Sequence, residues 1–257
     1  MSSVQDQKIR KTGLVINVLG NSQAQPNLKN NLVYEDTYSY KIFRQINMDC
    51  VVINSAKRNN TVVNQAVSSN IDDDILSFNA DYHIMQFGIV DCAPRLFTDR
   101  QNFLLNHLPG KNVLIRFMSK HRYFFTKRWP KVYVKKDIFR EKYIFLVQTI
   151  LTQTKTKKIF LINISATQDR NKQRSFRIDE NIKQYNLIIE EIANKNPDKI
   201  VLIDFYSMTS KELSLVATDG IHLAPPAHAL LAKMIGQKIR DLELPEDRMK
   251  AGTLSPT

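Results

Sequence analysis

Short apolar runs alternate along this chain with longer stretches whose apolar residues recur every three or four positions. Nearly uninterrupted runs of this kind are typical of parallel strands that are covered on both faces. The runs predict five strands, at 14–19, 50–54, 82–90, 158–164 and 200–204.

The stretches between the runs predict helices at 31–46, 62–78, 178–194 and 225–242. The pattern is clearest in 178–194, where Ile182, Tyr185 and Ile189 fall on one helical face. Pro225 and Pro226 suit the first turn of the closing helix, where a missing N–H costs nothing. Strands and helices that alternate in this way predict an α/β fold with a parallel sheet between two helical layers.

The segment 111–155 is longer than a simple crossover between two strands requires. We expect a basic insertion there, with a long helix at about 136–151 that forms a wall or lid over the site. The prediction for the whole chain is one domain over 1–244, and a polar, flexible tail at 245–257.

Composition narrows the function classes without choosing one. Hydrophobic residues make up 43% of the 257 residues, which is enough for a large core. No apolar run approaches the ~20 residues that span a bilayer, and the polar N-terminus lacks the apolar centre of a signal peptide. We therefore expect a cytoplasmic protein without a transmembrane segment. The absence of CxxC and HxxxH spacings argues against a metal site.

The net charge of +12 favours an anionic partner. Nucleic acid, an anionic membrane, a nucleotide sugar and coenzyme A all satisfy that condition. The stretch 116–130 interleaves cations with aromatic rings and contains the only tryptophan, Trp129. Such a stretch is typical of a solvated basic surface, but it also suits a sugar or nucleotide-sugar site. Nucleic acid is the weakest of these alternatives, because the sequence contains no recognised nucleic-acid-binding module.

Polar residues follow the predicted strands at positions where a parallel α/β sheet binds its ligands. Ser22 ends the segment after the first strand, and Asp219 and His222 stand between the fifth strand and the last helix. A serine hydroxyl needs a base to become nucleophilic, a histidine can be that base, and an aspartate can orient the imidazole. Alone, each residue suits a cap, a turn or a loop. Their common position at one sheet edge favours a catalytic serine site.

Two motifs resemble the SGNH/GDSL hydrolases. Gly20-Asn21-Ser22 resembles the Gly-Asp-Ser opening block of that family, and Asp219-Gly220-Ile221-His222 resembles its closing Asp-x-x-His block. Gly88-Ile89-Val90-Asp91 stands where the family has Gly-x-Asn-Asp. The resemblance implies a three-layer, flavodoxin-like sandwich with a five-stranded parallel sheet. It also implies an esterase, deacetylase or acyltransferase that needs no metal or organic cofactor.

The same resemblance identifies departures around the oxyanion hole. The family combines the serine N–H, a glycine N–H after strand two and an asparagine side chain after strand three. Here Val90 takes the asparagine position, and the glycine position falls near Asn59. Losing one oxyanion donor typically costs ~3 kcal/mol. Asn59 is our candidate for the replacement, with Asn60 and Gln86 as alternatives.

Further candidates for substrate binding are Gly88, Asp91, Arg95 and Trp129. Arg95 is expected on the rim of the site, where a guanidinium can bind a carboxylate or phosphate, or pair with Asp91. The segment from Gln86 to Arg95 also resembles SGNH proteins encoded among bacterial surface-polysaccharide genes.

The sequence leaves three functions open. The first is a serine esterase or deacetylase acting on an acylated carbohydrate. The second is transfer of an acyl group to a sugar by the same three residues, with acetyl-coenzyme A as a donor. The third is a non-catalytic protein that binds a polyanion through the basic stretch.

Overall fold

A parallel β-sheet forms the centre of the protein in the computed structural model, which describes residues 13–107 and 109–244. In that part of the chain the sheet has five strands in the order β2-β1-β3-β4-β5, and all neighbours are parallel. The strands are β1 (Leu14–Gly20), β2 (Cys50–Asn54), β3 (Tyr82–Gln86), β4 (Lys158–Ile162) and β5 (Ile200–Ile203). The sequence prediction of a five-stranded parallel sheet is therefore confirmed.

Helices of very different length connect and cover these strands. They are α1 (Tyr38–Ile46), α2 (Val62–Gln65), α3 (Ser68–Ile71), α4 (Ile89–Cys92), α5 (Asp99–Asn106), α6 (Lys111–Lys120), α7 (Arg122–Arg128), α8 (Lys136–Gln153), α9 (Asp169–Arg174), α10 (Ile178–Asn194), α11 (Phe205–Lys211) and α12 (Pro225–Glu243). The long helix predicted near 136–151 is present as α8, but it packs against the sheet in the hydrophobic core instead of forming a wall or lid over the site. The tail predicted at 245–257 lies outside the described residues.

Each face of the sheet has its own hydrophobic core, because successive side chains of a strand point to opposite faces. Ile84 and Phe160 face the core formed with α1 and α12. Met85 and Leu161 face the core formed with α8 and α10. The result is the three-layer sandwich that the sequence predicted. No helix in the described part of the chain has both the length and the apolar character needed to cross a bilayer.

The third strand is shorter than predicted, which corrects the interpretation of 82–90 as one strand. The strand ends at Gln86, and Ile89–Cys92 is a helical turn. Gly88 turns the backbone with a φ of +121°, and its N–H donates to Asp91 Oδ2 at 3.1 Å. An added Cβ at Gly88 would meet Ile164 Cδ1 at 2.5 Å, so the close approach also requires glycine.

Two predicted helices are interrupted. The helix expected over 62–78 divides into α2, α3 and a π-helical turn at Asp72–Leu76, because Val67 has an extended backbone. The helix expected over 31–46 begins at Tyr38, where Thr37 Oγ1 accepts the Tyr40 N–H. Capping by a threonine oxygen satisfies one of the free donors that every helix start exposes.

Candidate active site

The turn after β1 holds Ser22 at the edge of the sheet. Gly20 ends β1 so close to β3 that an added Cβ would lie 2.7 Å from the Gln86 carbonyl oxygen. Asn21 Oδ1 then accepts the Gln23 N–H at 3.0 Å and caps a short 3-10 turn that begins at Ser22. The amide of Asn21 thus supplies the capping oxygen in the position where the resembling family has aspartate.

A second tight turn, at 217–222, holds Asp219 and His222. The Ala217 N–H donates to the His222 carbonyl at 2.8 Å and closes the turn. Gly220 adopts a φ of +74°, and an added Cβ there would meet Asn171 Nδ2 at 2.5 Å. The turn therefore requires glycine for both its backbone conformation and its packing.

These two turns bring Ser22, His222 and Asp219 into one hydrogen-bonded chain. His222 Nε2 lies 3.0 Å from Ser22 Oγ, and His222 Nδ1 lies 2.7 Å from Asp219 Oδ2. Both distances are short enough for hydrogen bonds, as an arrangement of nucleophile, base and orienting group requires. Three residues separated by up to 200 positions in sequence thus meet at the carboxyl edge of the sheet.

Asp219 accepts four hydrogen bonds. Its Oδ2 accepts from His222 Nδ1 and from Asn30 Nδ2 at 2.8 Å, and its Oδ1 accepts the backbone N–H groups of Ile221 and His222 at 2.9 Å. Partial burial disfavours the charged carboxylate, but these bonds outweigh it and hold the pKa of Asp219 well below its ordinary range. The carboxylate is therefore ionised at neutral pH and holds the Nδ1 proton of His222.

A cavity of about 350 Å³ opens beside the serine. Five of the predicted site residues line it, namely Ser22, Asn59, Arg95, Asp219 and His222. The other residues of the lining are Ile89, Val90, Ala93, Arg122, Asn171, Arg174, Ser175, Ile178 and Ile221. Gly88, Asp91 and Trp129 are predicted site residues that lie outside this lining.

The side of the cavity where an oxyanion would lie departs from the resembling family as the sequence indicated. Val90 lines the cavity without a donor, and Asn59 has a left-handed φ of +58° that a glycine would adopt easily. The Ser22 backbone N–H donates to no acceptor in the described part of the chain. Asn60 is engaged elsewhere, because its Nδ2 donates to Gln65 Oε1 at 2.8 Å. Gln86 is buried outside the cavity lining.

Asp91 has a different environment from the one the sequence suggested. The side chain is fully buried, with Oδ1 accepting the Val62 N–H at 2.9 Å and Oδ2 accepting the Gly88 N–H. Burial raises the pKa of Asp91 to about 7, although these hydrogen bonds oppose the shift. Its contacts join α2 to the turn after β3, so Asp91 supports the cavity wall from behind.

Arg95 and Trp129 take up different places. The Arg95 guanidinium donates to the Val90 carbonyl at 3.0 Å and lies 4.1 Å from the ring centre of Tyr133, while no direct ion pair with Asp91 is found among the described residues. Trp129 is half-exposed and stacks on Phe125 with 5.8 Å between ring centres. Arg95 therefore faces the site, whereas Trp129 belongs to the surface of the α6–α7 segment.

The sequence did not single out three residues that the structure places at the site, and it indicated a fourth, Arg122, only as one cation of the basic stretch. Asn30 donates to Asp219, and Gln23 Nε2 donates to the Ile221 carbonyl at 2.8 Å. Arg122 and Arg174 line the cavity. Arg122 carried one signal, its place in the basic stretch, whereas Asn30 lies 189 positions from its partner and carried none.

No group of three or more His, Cys, Asp or Glu side chains within the described ranges has an arrangement that would hold a metal ion. The donors that converge on the cavity are instead arginines and the imidazole. Such groups suit an anionic or polar organic ligand.

Comparisons with known proteins identify the fold class. No protein-family model matches the sequence, and no curated protein matches it. Solved structures do match: a lipase/acylhydrolase from Enterococcus faecalis is 15% identical, with a TM-score of 0.62 over 88% of this chain and 95% of that one. The acetylxylan esterase of Geobacillus stearothermophilus is 16% identical, with a TM-score of 0.61 over 89% and 94%.

A protein from Parabacteroides merdae that is described as a GDSL-like lipase is 13% identical, with a TM-score of 0.59 over 89% of this chain and 96% of that one. All three likenesses cover nearly the whole of both chains. The protein thus has the α/β fold of the SGNH/GDSL hydrolases, as the two sequence motifs predicted.

Proposed function

We propose that the protein is a serine esterase that removes an acyl group from a carbohydrate, with Ser22 as nucleophile, His222 as base and Asp219 as orienting carboxylate. The observation that carries this proposal is the hydrogen-bonded chain from Ser22 Oγ through His222 to Asp219, at the mouth of a cavity. Esterase and acylhydrolase structures with the same fold support it.

The reaction follows from the geometry in two halves. Ser22 Oγ attacks the acyl carbon while His222 Nε2 takes its proton, and the imidazolium then gives that proton to the leaving sugar oxygen as the ester bond breaks. Water attacks the acyl-serine in the second half, again with His222 as base, and releases the carboxylic acid. Asp219 stays ionised throughout and stabilises the imidazolium.

Two groups are available to bind the negative oxygen of the tetrahedral intermediates. One is the backbone N–H of Ser22, which has no acceptor among the residues that the structure describes, and the other is Asn59, through its side-chain amide. Each donor of this kind typically contributes about 3 kcal/mol to the transition state. Asn59 thereby takes the role that an asparagine at position 90 would have in the resembling family.

A carbohydrate is the substrate class that we assign. The acetylxylan esterase from Geobacillus stearothermophilus matches this chain over 89% of its length, and acetylated sugars are the substrates that its name states. The resemblance of the Gln86–Arg95 segment to proteins of surface-polysaccharide gene clusters points the same way. The cavity of about 350 Å³ is at the small end of ligand sites, which suits one or two sugar rings.

Acyl transfer to a sugar is the second candidate, because it uses the same three residues and differs only in the group that attacks the acyl-serine. The observation that favours it is the set of arginines in the cavity, which suits a phosphorylated donor such as acetyl-coenzyme A. A transferase would release little of the donor's leaving group until a sugar acceptor is added, because the acetyl group passes to the sugar hydroxyl rather than to water.

Turnover of p-nitrophenyl acetate by the wild type and by Ser22→Ala tests the proposal. Ser214→Ala is the matched control, because Ser214 is an exposed serine whose hydroxyl donates to Glu212 and which lies outside the cavity lining. We expect Ser22→Ala to lose at least about 10³-fold in kcat, and Ser214→Ala to equal the wild type.

The two other candidate functions, acyl transfer and polyanion binding without catalysis, predict different results. Turnover that survives in Ser22→Ala would remove Ser22 from the mechanism. No turnover by any variant, together with wild-type affinity of Ser22→Ala for a polyanion such as heparin, would replace the esterase by a binding protein. Release of p-nitrophenol that depends on an added sugar acceptor, with the acetyl group recovered as a sugar ester, would select the transferase.

A further inference from the structure

Three arginines share the cavity wall with Ser22. Arg95 follows the turn after β3, Arg122 begins α7, and Arg174 ends α9, so three separate segments each bring one guanidinium to the same cavity. Asp219 is the one acidic residue among the described residues of the lining, and all four of its hydrogen bonds come from the site itself.

Among the ion pairs of the described residues, none involves Arg95, Arg122 or Arg174. The charges are near enough to oppose one another: burial first, and then the charges of Arg95 and Arg174, lower the pKa of Arg122. Asp91 interacts with Arg95 at longer range, and the Asp219 carboxylate is already occupied by its four donors, so three cations meet with less negative charge than they carry. Such an excess of like charge costs stability, and a bound anion would relieve that cost.

Two of the three guanidinium groups are held in place by contacts of their own. Arg122 Nε donates to Ser175 Oγ at 2.8 Å, and its terminal nitrogen donates to the Pro94 carbonyl at 2.5 Å. Arg95 is held by the Val90 carbonyl and by the ring of Tyr133. Anchoring of this kind orders the donors before a ligand arrives, which reduces the entropy lost on binding. Arg174 is exposed, and as the last residue of α9 it adds the third guanidinium to the cluster.

We propose that Arg95, Arg122 and Arg174 form a subsite for an oxyanion, a phosphate or a carboxylate, that is part of the acyl-ester substrate itself. This inference rests on the proposed esterase function and gives its substrate class: an acylated sugar that also carries a negative charge. Guanidinium groups bind planar carboxylates and phosphates through paired N–H donors. The subsite would hold that charge while the neutral ester lies against Ser22.

Acetate release from three mono-O-acetylated sugars tests the subsite: acetylated methyl glucoside as the neutral compound, acetylated glucose 1-phosphate, and acetylated glucuronate. The variants are Arg174→Gln and, as a matched control, Arg177→Gln. Arg177 is another exposed arginine, three positions further on, that pairs with Glu180 and lies outside the cavity lining. Calorimetric binding of glucose 1-phosphate and glucuronate to Ser22→Ala gives a readout that needs no turnover.

We expect kcat/KM for one of the charged sugars to exceed that for the neutral sugar by at least about tenfold, and to fall as salt rises. Arg174→Gln should lose about tenfold on the charged sugar alone, mainly through KM, while Arg177→Gln should match the wild type. The charged sugar that is preferred identifies the oxyanion as phosphate or carboxylate.

Equal turnover of neutral and charged sugars, or an equal loss on both in Arg174→Gln, would overturn the subsite while leaving the esterase proposal intact. Turnover that persists in Ser22→Ala would instead remove Ser22 from the mechanism and overturn the proposed serine esterase. In that event, binding of glucose 1-phosphate that weakens in Arg174→Gln but not in Arg177→Gln would still support the anion site, and no binding would reject it.

Discussion

Substitution of Asp219 by asparagine tests how the orienting carboxylate works. The asparagine side chain has nearly the same shape, and its oxygen can still accept the backbone N–H groups of Ile221 and His222. Its NH₂ group then replaces Oδ2, which faces two donors, His222 Nδ1 and Asn30 Nδ2. Because two donors cannot share a hydrogen bond, the imidazole is expected to release its Nδ1 proton and carry a proton on Nε2 instead.

That change of tautomer turns His222 from an acceptor of the Ser22 proton into a donor toward Ser22. Loss of the carboxylate charge and the wrong tautomer together typically lower kcat of a Ser-His-Asp site by about 10⁴-fold, equivalent to about 5 kcal/mol. Asp219→Ala also loses the charge but leaves the imidazole free to take either tautomer. We therefore expect the alanine variant to be at least about tenfold more active than the asparagine variant.

The assay is kcat for p-nitrophenyl acetate with both variants, after thermal melting has shown that each is folded. Nitrogen-15 NMR of the imidazole reports the tautomer directly, and the Nε2–H form should dominate in Asp219→Asn. An asparagine variant that is more active than the alanine variant would refute the tautomer argument. So would an asparagine variant whose His222 keeps its proton on Nδ1.

Three further substitutions test the surroundings of the site. Gly220→Ala should lower Tm by about 2–6 °C in a melting scan, because alanine is strained at φ +74° and its Cβ would meet Asn171, and an unchanged Tm would contradict this. Asn30→Ala should lower kcat about three- to tenfold with Tm nearly unchanged, because Asp219 keeps three of its four donors. The third concerns Asp91, whose folded-state pKa of about 7 is raised from 3.8, so its contribution to stability is full below about pH 4 and is lost as pH rises through 7. The difference in unfolding free energy between the wild type and Asp91→Asn, from urea titrations, should therefore fall between pH 4 and 7, and a constant difference would contradict the burial argument.

The sheet and the three residues of the proposed catalytic site could be predicted from the sequence because their signals are local. A run of six residues before Gly20 that is apolar except for Asn17 identifies β1, and the rule that ligands bind at the carboxyl edge of a parallel sheet brings Ser22 and His222 together. This rule predicts the edge of the sheet at which a residue lies. The short turns around Gly20 and Gly220 then restrict the directions in which the side chains of Ser22 and His222 can point.

The end of β3 and the rest of the cavity wall could not be read in this way. Phe87, Ile89 and Val90 continue the apolar run of β3, and burial makes a strand and a helical turn look alike in sequence. Arg122 is one cation among many in a basic stretch, and only the fold shows that it contacts Pro94 and Ser175. Contacts of this kind depend on how distant segments pack, and no local pattern records them.

Covalent labelling of the active serine is the most direct test of the central claim, that His222 activates Ser22 as a nucleophile. The protein is treated with a fluorophosphonate probe, digested and analysed by mass spectrometry, in the wild type, Ser22→Ala and His222→Ala. We predict a single adduct on the peptide that contains Ser22, absent in Ser22→Ala and formed at least about 10²-fold more slowly in His222→Ala. An adduct at another residue, or equal labelling of the wild type and Ser22→Ala, would contradict the account.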